Sequence, residues 1–329
     1  PSSKSSRNST KLKTMLDSTS LLFESEIQRI NSAIKTNLQG PVPFLSDIIR
    51  YLIDSHYTPF RSFLLLRCSE LFQPDQPEAA YHTASTLEFL HIASVLHRNI
   101  AETNQTRRQM RSLDSLWGNE ASLLLGDYLL SISFQILTRL EQIEILQCVS
   151  WATRSIARGQ ILEVSGRAVQ SDPEKCLQVY REKDASLLAA AAKCGAIWGG
   201  ANSNLQEQLM TFGEKWGVAL VLKNDLQILD DTQGLQEKIS SKLSFFPLII
   251  WLRNLPDPEL EEWQKKIENP NEKVILELMG KLSTGPKEKT ISVMQKFLGE
   301  AQEILYQIPD LEIRKLHEAS FAQFVTQNV

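Results

Sequence analysis

Beyond Asp17, apolar residues return at three- and four-residue steps almost without interruption. Leu22, Ile27, Ile30 and Ile34 fall on one face at that spacing, which predicts an amphipathic helix. The stretch 118–145 is apolar on most sides: Leu123, Leu124, Leu125, Leu129, Leu130, Ile132, Phe134, Ile136 and Leu137 crowd it. A helix of that kind is expected inside a bundle rather than on its surface. Residues 185–200, including Ala189-Ala190-Ala191-Ala192 and Gly195, are small enough to let two helices approach closely. Alternating strand patterns are nearly absent. Breakers at 39–43, 74–77, 172–174, 254–257 and 268–272 punctuate the helices without a linker-like shift in composition. The stretch 254–329 is richer in charge and predicts amphipathic helices at the periphery. The fold class is therefore all-α, with one domain over 17–329. The first sixteen residues carry Lys4, Arg7, Lys11 and Lys13, many Ser and Thr, and no acid. They read as a basic disordered arm or a processed end. The expected location is the cytoplasm, or a mitochondrial or plastid matrix if the arm is a trimmed transit segment.

Composition narrows the class. The chain has 329 residues, 42% hydrophobic and 22% charged, which excludes a disordered chain. Fourteen Gly and thirteen Pro exclude collagen-like and low-complexity classes. No apolar run reaches the roughly 18 uncharged residues of a membrane-crossing helix, so no transmembrane segment is expected. Cys68, Cys148, Cys176 and Cys194 are spaced neither as a disulfide framework nor as a zinc site, and are expected as buried free thiols. A net charge of -4 argues against a nucleic-acid partner.

Four clusters could carry chemistry. In Glu88–Glu102, helical spacing brings His91, Arg98 and Glu102 near one face. Taken alone, this also reads as core histidines beside a surface ion pair. Arg107-Arg108 suits a diphosphate, because guanidinium groups grip phosphate oxygens as a fork. A solvated surface pair looks the same. In Trp117–Leu130, Asp127 lies in an apolar helix, where it needs a partner or a cavity wall. In Lys223–Asp231, Asp225, Asp230 and Asp231 are carboxylates of the kind that hold Mg²⁺ with substrate phosphate, or that simply charge a helix end.

Taken in order, these clusters resemble the trans-prenyl diphosphate synthase (polyprenyl synthetase) family over roughly residues 40 to 300. Trp117–Leu130 resembles the family's F-G-N-x-A-x-L-L-G-D-x-L-L helix. Glu88–His97 resembles the lead into the first Asp-rich motif, and Arg107-Arg108 the arginine pair after it. Lys183–Leu187 resembles K-T-A-x-L, Phe212–Ala219 the lead into the second Asp-rich motif, and Ser241–Pro247 the later G-K-x-T-x-P. The resemblance implies a helical bundle around a deep apolar pocket, usually dimeric. It implies Mg²⁺ held by two D-D-x-x-D motifs, and condensation of an allylic diphosphate with isopentenyl diphosphate. It assigns diphosphate contacts to Arg61, His91, Arg107, Arg108, Lys183 and Lys242. It places Ala93, Ser94 and Asp127 at the chain-length pocket, with small residues at 93 and 94 pointing to a long product.

The resemblance breaks where the metal should sit. The first motif reads Arg98-Asn99-Ile100-Ala101-Glu102, which keeps only Glu102. The second, aligned without a gap, reads Asn224-Asp225-Leu226-Gln227-Ile228 and keeps only Asp225. A six-residue shift would bring in Asp230 and Asp231, but Gly217-Val218-Ala219 favours the ungapped register. The vestigial metal ligands are thus Glu102, Asp225, Asp230 and Asp231, and Mg²⁺ is doubtful in this chain. Arg98 in a metal-ligand position is expected to pair with Glu102 or Asp225 in place of the missing cation. A catalytic metal supplies several kcal/mol, and each 1.36 kcal/mol is about tenfold in rate. The pattern is similar to the divergent second subunits of heteromeric long-chain prenyl synthases. The leading expectation is a degenerate subunit that supports an intact synthase in a heteromer. A homodimer, an atypical active prenyltransferase or terpene synthase, and a prenyl-lipid binding protein stand as alternatives. The dimer face is expected around residues 118–140, with Ser122 and Leu129 in it.

Overall fold

The computed structural model of the chain describes residues 25–40, 45–46, 59–72, 77–101, 111–165 and 172–308. The helices are α1 (25–37), α2 (Phe60–Glu70), α3 (Glu78–Ala101), α4 (Arg111–Arg139) and α5 (Ile143–Ser165). They continue with α6 (Pro173–Val179), a π-helical turn (Tyr180–Ala185), α7 (Ser186–Trp198) and α8 (Ser203–Ile228). The chain ends in α9 (Thr232–Ser240), α10 (Phe246–Leu252), α11 (Asp257–Glu268), α12 (Glu272–Leu282) and α13 (Gly285–Gln307). No strand occurs among the described residues, and the all-α expectation holds.

The breakers act through their caps. Asp172 accepts the Glu174 N–H and Pro173 opens α6. Asn202 accepts the Leu205 N–H at the start of α8, and Asn271 the Val274 N–H at the start of α12. Each satisfies a backbone donor that has no partner within its own helix.

α7 is the central helix. Its Ser186–Ala192 and Cys194–Ala196 are buried, and it packs against α8, α2 and α5. The small-residue run allows this. A Cβ at Gly195 would overlap the carbonyl oxygen of Leu65 on α2. A Cβ at Gly213 would lie 2.5 Å from the Leu188 carbonyl oxygen. Stacked rings of Phe60 and Trp216, 4.7 Å apart, bring α2 onto α8. The four cysteines are free and buried.

Of the charged C-terminal stretch, α11 and α12 are peripheral as the pattern implies, but α13 is not. It packs against α8 and buries Phe297 and Ala301 in the core, while residues 309–329 lie outside the described residues. α11 buries only Trp263, and α12 buries Ile275, Leu278 and Leu282. These join Leu235, Phe245 and Leu248 in a satellite apolar cluster.

The helix over 118–145 departs from expectation. Ser122, Leu125, Leu129, Ser133, Ile136 and Leu137 face the bundle, but Leu123 and Leu124 are exposed, Leu124 at 68%. Glu120–Arg139 is long and apolar enough by length and composition to cross a bilayer, although Asp127 interrupts it. Its neighbour α5 also leaves Ile143, Ile161 and Val164 exposed. A sequence apolar all round need not be covered all round. The α4 core stripe includes Ser122 and Leu129, so those two belong to the interior and not to an outer contact face.

Candidate functional site

The first cluster forms where α3 meets the start of α2. Pro59 precedes α2 and supplies no side-chain cap. Glu88, fully buried on α3, does so from a distance. Its carboxylate accepts the Ser62 N–H at 2.9 Å and the Ser62 hydroxyl at 3.1 Å. It also pairs with Arg61 at 3.4 Å. One helical turn on, burial holds the His91 imidazole well below its ordinary range, and the positive charges of Arg61 and Arg98 push it further. At neutral pH His91 is an uncharged donor and acceptor within reach of two positive charges. The structure therefore gathers Arg61, His91 and Arg98. Arg61 Nε is buried without a hydrogen-bond partner among the described residues.

The second cluster joins α5, the π-helical turn, α8, α9 and the start of α10. Gly159 lets α5 touch the turn: a Cβ there would meet the Lys183 amide nitrogen at 2.6 Å. One helical turn later, Glu163 pairs with Lys183 through both oxygens, at 3.0 and 2.9 Å, and accepts the Ser244 N–H at 2.9 Å. Burial alone would raise the Glu163 carboxyl. Lys183 and the Ser244 N–H outweigh it and bring it below the usual range. Burial alone would lower Lys183, but Asp184 and Glu163 overcome it and raise it, against the positive charge of Arg98. Asp184 lies 3.6 Å from the ammonium.

Asp225 is fully buried on α8. The hydroxyl of Tyr180 donates to Oδ2, as does the Phe246 N–H at 3.1 Å. Lys238 lies 3.6 Å from Oδ1. Burial raises the Asp225 carboxyl, while Lys238, Tyr180 and the Phe246 N–H pull the other way. Burial, with the nearby Asp225 charge, pushes the Tyr180 hydroxyl well up, so Tyr180 is the donor. The widened backbone of the turn places both Tyr180 and Lys183 inside. Such π-turns are rare and recur at functional sites.

The remaining candidates are scattered. Asp231 caps α9 by accepting the Gln233 N–H, and the exposed Asp230 pairs with Lys287 at 3.1 Å. Lys242 is exposed, just past α9, in a left-handed backbone conformation (φ 55). Lys183 is committed to Glu163 and is not presented to solvent. The cation that pairs with Asp225 is Lys238, where the sequence pointed to Arg98. Ala93 is buried, and the Ser94 carbonyl accepts from Gln160 of α5 at 3.2 Å. Asp127 does not line the interior: its side chain is 62% exposed, 3.3 Å from His97 Nε2. Its neighbour is thus the half-buried His97 of α3. Glu102, Arg107 and Arg108, and the side chain of Asn99, lie outside the described residues.

The sequence does not mark Glu163, Tyr180 or Lys238 as site residues, and Glu88 shows only as part of the lead into the first acidic motif. The other three carry no local signal, because their partners are 20 to 45 residues away or come from another helix.

Mg²⁺ favours carboxylate and phosphate oxygens in a near-octahedral set. Among the described residues no group of three or more His, Cys, Asp or Glu could hold a metal ion. Asp225 has one oxygen bonded twice and the other facing an ammonium. Asp225 is thus fully engaged by groups of the chain, and Glu102 of the first motif lies outside the described residues.

The polyprenyl synthetase sequence profile matches residues 42–271, and the chain belongs to that family. It is 24% identical over 300 residues to nonaprenyl diphosphate synthase of Mycobacterium tuberculosis, covering 88% of each chain. Its fold matches the crystal structure of a decaprenyl diphosphate synthase from Rhodobacter capsulatus with a TM-score of 0.80. That match is at 24% identity and covers 95% of this chain and 99% of the other. A polyprenyl synthase from Caulobacter crescentus, complexed with calcium and isoprenyl diphosphate, also matches with a TM-score of 0.80. It is 22% identical, with 90% and 93% covered.

Proposed function

We propose that this chain works in long-chain prenyl diphosphate synthesis as a catalytically degenerate subunit that supports an intact synthase of its own family. The observation that carries this reading is the state of Asp225. The carboxylate retained from the second acidic motif is occupied by Tyr180, the Phe246 N–H and Lys238. In the first motif, a guanidinium and an amide stand in two of the acidic positions. In this reading the described residues offer no group of carboxylates to neutralise a diphosphate leaving group through metal. Since electrostatic stabilisation of developing charge is usually the largest catalytic term, its loss removes many decades of rate.

What remains is suited to binding. Arg61 and Arg98 lie near enough to a neutral His91 to act on its charge, and in this reading these donors meet the diphosphate of an isoprenoid substrate or product. In this reading Arg107 and Arg108 add to them. The partner is an intact prenyl diphosphate synthase subunit. The contact face is the uncovered apolar side of α4 and α5: Leu123, Leu124, Ile143, Ile161 and Val164. Exposed apolar residues on neighbouring helices are candidates for such a contact.

The test is incorporation of labelled isopentenyl diphosphate with Mg²⁺ and an allylic primer. The chain is assayed alone, then with an intact homologue from the same genome. The expected result is no product alone, and a changed rate or product length in the mixture. Product from the chain alone would overturn the reading. Silence in both assays, with retention of a long prenyl chain, would replace it with a prenyl-lipid binding protein.

A further inference from the structure

We infer that Lys238 is the built-in counter-cation of Asp225, and that Asp225, Tyr180 and Lys238 form a metal-independent latch. It joins the π-helical turn, α8, α9 and the start of α10. The inference does not depend on whether the chain assembles with a partner.

A fully buried carboxylate without a counter-charge is too costly to persist, so Asp225 must be compensated within the fold. Both sides of the carboxylate are accounted for. Oδ2 receives the Tyr180 hydroxyl and the Phe246 N–H. The Tyr180 hydroxyl also lies 3.0 Å from the Ser244 carbonyl oxygen. It has one proton, and the ionised carboxylate is the stronger acceptor. Oδ1 accepts no hydrogen bond among the described residues and faces Lys238 Nζ at 3.6 Å. The Lys238 ammonium is itself held. Its side chain is mostly buried, it lies 5.9 Å from the centre of the Phe245 ring, and its charge also acts on Glu163. An ammonium within about 6 Å of a ring face is attracted to it.

A divalent cation would need Oδ1 at about 2.0–2.1 Å with further oxygens around it. The place it would approach is taken by a cation covalently part of the chain. The second pair, Glu163 with Lys183, repeats the arrangement beside it, joined through Ser244 and through the field of Lys238. Glu163 with Lys183 and Asp225 with Lys238 thus form two internal acid–ammonium pairs, with Asp184 also 3.6 Å from the Lys183 ammonium. The latch also ties down α10. Its N-cap residue, Phe245, makes no side-chain hydrogen bond, and the buried Phe246 N–H is met by Asp225 and the Tyr180 hydroxyl instead.

The experiment uses the purified full chain, with Mn²⁺ as an electron-paramagnetic-resonance probe and thermal unfolding in Mg²⁺ or EDTA. The expected result is a Tm that is the same in Mg²⁺ and EDTA. Mn²⁺ binding should be no different in Asp225→Asn. Removing one partner of a buried pair is strongly destabilising, so Lys238→Met should lower Tm by roughly 5–10 °C. Adding Asp225→Asn to Lys238→Met should recover most of that loss. Lys238→Arg, which keeps the charge, should stay close to wild type, and it decides the matter if Lys238→Met does not fold. Mn²⁺ bound by the wild type and lost in Asp225→Asn would overturn the inference. So would a Lys238→Met protein with unchanged Tm.

Discussion

At the scale of single residues, this protein is governed by charges taken out of water and matched in pairs. Between α1 and α2, Arg67 contacts both Glu26 and Glu70, the latter at 2.6 Å. Burial lifts the Glu70 carboxyl to about 8; Arg67 opposes the rise and Glu26 adds to it. The folded state therefore holds this proton more tightly than the unfolded chain, whose carboxyl titrates near 4.5. The stability it contributes is complete below that lower value and is lost as pH rises through about 8. Tm should fall between pH 6 and pH 9, and Glu70→Gln should flatten that slope. Unchanged slopes in the two proteins would remove Glu70 from the account. His91 has the opposite sense. Its proton is bound more weakly in the folded state, so its contribution is lost as pH falls below the ordinary histidine range.

At the scale of elements, close approach and exposure decide the behaviour of α7, α4 and α5. Gly195 sits against the backbone of α2, and a backbone carbonyl cannot swing aside as a side chain does. Gly195→Ala should push α2 from α7 and destabilise the protein by about 1–3 kcal/mol, as overpacking does. Denaturant unfolding measures it, and a change below about 0.5 kcal/mol, the ordinary scale of a neutral surface substitution, would contradict the packing argument. On α4 and α5, the exposed Leu124 and Ile161 (68% and 67%) make no demand on the core. The double variant Leu124→Glu with Ile161→Glu should leave helicity and Tm nearly unchanged. It should abolish co-purification with the intact synthase. Retained co-purification would move the contact face elsewhere. Charging Leu129 is a different experiment, because Leu129 is fully buried in the monomer, and the loss it caused would be one of folding.

At the scale of the molecule, the chain keeps the family's helical bundle, and Asp225 and Glu163 are held inside it by ammonium groups. The fold rests on the α7-centred packing, which does not call on Asp225 or Glu163 to hold metal. The two buried ion pairs bridge α5 to the π-helical turn and α8 to α9. Buried pairs are weak evidence for net stability, yet removing one partner is severe. This asymmetry is why the latch is tested by breaking it on one side and then on both. It also separates two questions, whether the chain turns over substrate and whether its fold needs an ion.

Much of this was legible in the chain itself. Helical periodicity, breakers at the caps, the Ala-Gly run of α7 and the amphipathic C-terminal helices are local signals, and local physics carries them into the fold. The motif order around Glu88–His97, Trp117–Leu130 and Lys183–Leu187 was readable for the same reason. Only the tertiary structure decided which face of α4 is covered, because an all-round apolar helix does not say how many neighbours it meets. Only the tertiary structure paired Glu163 with Lys183, and Asp225 with Tyr180 and Lys238. Those groups lie on different helices, and a buried charge chooses its partner by proximity in space, which spacing along the chain does not encode.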